Sequence, residues 1–113
     1  MQKQKLTNFI LFDSNKFTKR IIFKEGASTA FMLNFSGDQS LPAHKHPGSH
    51  VFLQVISGGG AFIIDGEEHA VSAGDYLFVT GEEELAFQNN TDAETSIHVL
   101  LNRTPDERFA TNI

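Results

Sequence analysis

From residue 28 to residue 102 turn signals recur roughly every ten residues, and seven short apolar segments lie between them. Phe31, Leu33 and Phe35 alternate with Met32 and Asn34, a period of two with one strongly apolar face. Residues 51–56 form a nearly continuous apolar run, which predicts a strand covered on both sides. That run stops at Ser57-Gly58-Gly59-Gly60, read as a turn because several of its residues can take positive φ. Residues 61–64 lead into Asp65-Gly66, a strong hairpin signal, and residues 67–71 return antiparallel. Further strands are predicted at 76–79, 84–88 and 95–101, and residues 6–12 and 17–24 can each add one more. Residues 103–113, polar apart from Phe109, read as a tail or a short helix. The pattern predicts one all-β domain over residues 1–113, a sandwich or barrel with its core at about 26–102.

Composition narrows what such a domain does. The 113 residues suit a single domain, and the formal net charge of −5 argues against binding a phosphate backbone or an anionic membrane surface. There is no cysteine, which excludes disulfides, thiolate catalysis and Cys-bound zinc. No apolar run approaches the roughly 20 residues that span a bilayer. The start is basic, but Asn8, Asp13 and Asn15 interrupt any apolar signal-peptide core, so a cytoplasmic protein is expected. Eleven Phe and no Trp predict rings that fill a core or a subunit interface, and a homodimer is expected.

One constellation carries chemistry. Three of the five histidines fall within His44-Lys45-His46-Pro47-Gly48-Ser49-His50. A spacing of two on an extended chain puts His44 and His46 on one face, as two imidazoles converging on one ion require. The Pro47-Gly48 bend can swing His50 towards the same point. Three neutral nitrogen ligands suit a divalent transition metal, whether Zn, Fe, Ni, Cu or Mn. A one-residue slip flips a side chain to the other face, so strand register decides whether His50 points inward.

These residues resemble the cupin superfamily. Gly37, then His44-x-His46, Pro47-Gly48, an apolar strand and Gly58 is similar to the first cupin motif. Gly74-Asp75-Tyr76-Leu77-Phe78-Val79 is similar to the start of the second, with Asn89 in its closing place. The resemblance covers about residues 26–102 and implies a jelly-roll β-barrel, the double-stranded β-helix. It also implies a metal held by three His and one Glu, and here the pattern departs. The Glu position falls at Val51, with His50 beside it, and the fourth-ligand position falls at Leu85. The metal site implied is therefore His44, His46 and His50.

Other residues can be weighed for the missing ligand. Glu82, Glu83 and Glu84 read as an exposed acidic turn. His98, between Ile97 and Val99, reads as a core histidine unless it faces the barrel interior, where it can act as a fourth ligand. His69 reads as a surface residue beside Glu67 and Glu68. Three functions follow. The first is a small metal-binding cupin, an enzyme of dioxygenase or isomerase type acting on a small molecule in the barrel. The second is a non-catalytic barrel that binds a small molecule or metal, and the third is a dimerisation module.

Overall fold

The computed structural model describes residues 1–103, and the tail expected over 103–113 lies outside it apart from Arg103, which ends the last strand. Among the described residues, nine strands form two sheets. They are β1 (Thr18–Glu25), β2 (Ser28–Phe35), β3 (Ser40–His44), β4 (Ser49–Ser57), β5 (Gly59–Ile64), β6 (Glu67–Ser72), β7 (Tyr76–Thr80), β8 (Leu85–Gln88) and β9 (Thr95–Arg103). The five-stranded sheet runs β1-β2-β9-β4-β7 and the four-stranded sheet runs β3-β8-β5-β6, every pair antiparallel. This is the expected all-β jelly roll.

Its core lies between the sheets. Phe31, Leu33 and Phe35 of β2, Val51, Leu53 and Val55 of β4, and Ile97 and Val99 of β9 face Phe62, Leu85 and Phe87 of the opposite sheet. Phe17, Phe35, Phe87 and Phe62 form a chain of ring contacts across that space, with centroids 5.3, 4.8 and 4.8 Å apart. Each buried ring contributes roughly 1.5–3 kcal/mol of transfer free energy, so much of the Phe excess is core. Asp65 (φ 49°) and Gly66 (φ 81°) both take positive φ, the turn geometry that matches the twist of a two-residue hairpin between β5 and β6.

Four expectations need correction. Residues 6–12 contain a short 3-10 turn, Leu6–Phe9, because this segment crosses the outer face of the larger sheet instead of extending it. The buried Asn34 amide holds it there by donating to the Phe9 carbonyl at 2.9 Å. Met32 and Ser96, on that same face, are fully buried. The glycine turn is confined to Gly58, since Gly59 and Gly60 already belong to β5. A Cβ at Gly58 would run into the Glu94 carbonyl and Thr95, so glycine is required there. β4 is buried on one face only, and its other face, with Phe52 and Gln54, is half-exposed. β3 was not predicted: it is an edge strand carrying Pro42, where the missing N–H costs no ladder bond.

Candidate functional site

A β-bulge aims the first histidine. Ser40 and Leu41 pair with Gln88 and Phe87, after which the register slips so that His44, not Ala43, lies opposite Leu85. Leu85 faces the core, so the extra residue carries His44 to the inner face. The chain then turns out of β3, and the His46 N–H donates to the Gly81 carbonyl at 3.0 Å. The Ser49 N–H donates in turn to the His46 carbonyl at 3.0 Å. Gly81 is buried against this loop, and a Cβ there would strike the His46 carbonyl. The two rings meet edge to face, with centroids 4.6 Å apart.

His44 and His46 line a cavity of about 120 Å³ between the sheets. Val51, Leu53, Leu85 and Val99 supply its apolar walls, together with Phe31, Leu33 and Leu41. Its one other charged or polar side chain is Lys19, placed on the inner face of β1 opposite Leu33. The Lys19 ammonium lies 4.5 Å from the centroid of the Phe31 ring, a cation–π contact. No carboxylate lines the cavity. Lys19 forms no ion pair among the described residues.

The imidazoles are tuned differently. His44 Nδ1 lies 2.8 Å from the Pro42 carbonyl oxygen. A carbonyl only accepts, so Nδ1 carries the hydrogen and Nε2 keeps its lone pair in the neutral ring. Burial, then the neighbouring His44 and Lys19, push His46 below its ordinary value, so it is held neutral.

His50 does not join them. It pairs with Thr80 and Asn102 on the outer face of β4, is exposed, and packs edge to face on Phe78 at 5.2 Å. Its neighbour Val51 takes the inward place, 1% exposed, as strand alternation requires. The expected three-His cluster is thus split by register, and no group of three His, Asp or Glu among the described residues is placed to hold a metal. His98 also points outward, between Met32 and Gln54, and burial lowers its pKa. Glu82 and Glu84 are exposed, and Glu83 accepts from the Thr80 N–H (2.9 Å) and hydroxyl (3.1 Å), closing the β7–β8 turn. His69 is a surface residue 4.0 Å from Glu67. A wider cleft of about 350 Å³ opens between β6 and β7, but Glu83 is committed to its turn there. Sequence reasoning missed Lys19: a lysine in an alternating strand gives no sign that β1 forms the cavity's side wall.

The family model described as the cupin domain matches residues 31–101. The chain belongs to the cupin family. No curated protein matches it. Solved structures that it resembles include TT1209 from Thermus thermophilus, at 17% identity over 93% of this chain and 100% of that one, with a TM-score of 0.86. An RmlC-like cupin from Desulfovibrio desulfuricans is 19% identical over 90% and 96% of the two chains, TM-score 0.81. The cupin domain of an XRE family transcriptional regulator from Enterobacter cloacae is 17% identical over 79% and 98%, TM-score 0.72. At these identities the likeness is one of fold.

Cupins often bind transition metals, and the donors around this cavity decide whether such an ion fits. Val51 and Leu85, at the places the family uses for its third and fourth ligands, both line the cavity as hydrocarbon. Two imidazoles remain, with an ammonium beside them that repels a divalent cation. This donor set does not fit a resident transition metal.

Proposed function

We propose that this cupin is a binding barrel that takes a small apolar molecule into the cavity behind His44 and His46, and is not a metalloenzyme. The observation that carries this reading is the pairing of Val51 and Leu85 with an otherwise open apolar cavity of about 120 Å³. Loss of both ligands leaves the barrel's inner surface suited to hydrocarbon, while the space itself is retained. Apolar cavities of about 150 Å³ stay dry and accept benzene, so a guest of this general size fits here. The similarity to a transcriptional regulator's cupin domain is in keeping with a barrel that senses a ligand without transforming it.

Leu85→Phe fills the cavity from its wall and tests the reading. Isobutanol at about 100 times its Kd is expected to stabilise the wild type by about 2.7 kcal/mol, and the variant much less. No stabilisation of the wild type by isobutanol would overturn the reading. Equilibrium dialysis against Zn²⁺ and Ni²⁺ supplies the second arm. Near one equivalent retained by the wild type and lost in His46→Ala would restore the metal-centred alternative, with dioxygenase or isomerase chemistry as its consequence.

A further inference from the structure

We infer that the molecule this cavity selects carries a carboxylate, gripped by Lys19 at the mouth while its hydrocarbon end lies between Leu53, Leu85 and Val99. The inference rests on the binding-barrel reading and adds the chemical class of the ligand.

Three features lead to it. The one formally charged side chain in the lining is Lys19, set with the imidazoles of His44 and His46, and no acidic side chain lines the cavity. That is a local reversal of sign in a chain whose net charge is −5. Lys19 is exposed at the edge of the cavity and forms no ion pair among the described residues, so its ammonium is free to exchange water for an anionic ligand. The ammonium lies 4.5 Å from the centroid of the Phe31 ring, which places the charge beside the hydrocarbon of the cavity wall.

The imidazoles complete the recognition. The His46 ring has no hydrogen-bond partner among the described residues, so its N–H is available to one carboxylate oxygen while Lys19 serves the other. His44 is anchored through Nδ1 to Pro42 and fixes the position of His46 by ring contact. The length follows from the space: a cavity of about 120 Å³ takes a hydrocarbon end of about four carbons, with the charged head at the mouth. A short branched monocarboxylic acid meets both requirements.

Isovalerate and isovaleramide have the same shape and differ in charge, and isothermal titration of both separates charge recognition from cavity filling. Isovalerate is expected to bind the wild type about tenfold or more tightly than the amide. Lys19→Met should remove that preference, and Lys19→Arg should keep most of it. Amide binding should be unchanged by either substitution. Equal affinity for acid and amide, or an undiminished preference in Lys19→Met, would overturn the carboxylate inference and leave the binding barrel standing. Failure of both compounds, with isobutanol still stabilising the protein, has the same meaning. Failure of isobutanol as well overturns the barrel reading itself. Circular dichroism of the Lys19 variants confirms that they are folded, and Lys19→Arg gives a charge-retaining control.

Discussion

The protein has two kinds of polar centre, and they differ in how completely they are satisfied. At one end Asn89, fully buried, donates to the carbonyls of Phe35 (3.3 Å), Ser36 (3.0 Å) and Ala93 (2.8 Å) and accepts from the Thr91 N–H (3.2 Å) and hydroxyl (2.6 Å). Asn34 is equally closed, accepting from the Ser96 hydroxyl at 2.7 Å. At the other end the His46 ring packs on His44 and the Lys19 ammonium lies over Phe31, and neither side chain has a hydrogen-bond or ion-pair partner among the described residues. Buried amides with every valence used fasten loops to strands. Donors that reach solvent beside a cavity can exchange water for a ligand at little cost. The second-motif asparagine therefore survives here as architecture, although the ligand expected four residues earlier has become Leu85.

The contrast breaks first if Asn89 proves dispensable. Asn89→Ala should cost about 3 kcal/mol, because three carbonyls lose a donor, and thermal unfolding should show a fall of about 10 °C or more. An unchanged midpoint would mean that saturation does not mark structure here. Gly81→Ala sharpens the comparison from the side of the cavity. The added methyl meets the His46 carbonyl, so stability should fall by about 1–3 kcal/mol. Isovalerate affinity should fall with it, whereas Asn89→Ala at a temperature where it stays folded should bind isovalerate normally.

The smallest expected effect is a slope. Burial lowers the pKa of both His98 and His46 below the ordinary 6.5. Below that value the unfolded chain takes up protons that the folded chain resists. Their contribution is fully present above about pH 6.5 and is lost as the pH falls towards the folded values. Chemical denaturation at a series of pH values should therefore show stability declining below about pH 6.5, and His98→Gln should make that decline shallower. A decline of the same steepness in the variant would assign it to other groups.

Much of this architecture was legible in the sequence because alternation and turn chemistry are local. Asp65-Gly66 announced its hairpin, and residues 95–101 announced a strand that becomes β9. What escaped was what depends on a partner. β3 is defined by its pairing with β8, and Pro42 disguised it. Residues 6–12 are apolar enough to pass for a strand, yet β1 already holds that edge of the sheet and Asn34 captures the segment across the face. The histidine cluster was visible and its split was not, since spacing along the chain is silent about which face of β4 meets the core. Val51, with its neighbours Leu53 and Val55, won the inward place by burying more hydrocarbon than His50 and its neighbours Phe52 and Gln54 would, without burying an imidazole.

The bulge in β3 has a consequence for how this chain tolerates change in length. A strand keeps a reading frame of two, inside and outside, and the surplus residue between Leu41 and His44 shifts that frame once. Deleting Ala43 would straighten the strand and still leave His44 opposite Leu85, so the pocket would survive the loss. Deleting one residue between Val51 and Val55 has no such slack to absorb it, and would turn part of the barrel's wall inside out. The tolerance of this barrel to insertion and deletion is set strand by strand, by where a surplus residue has already been stored.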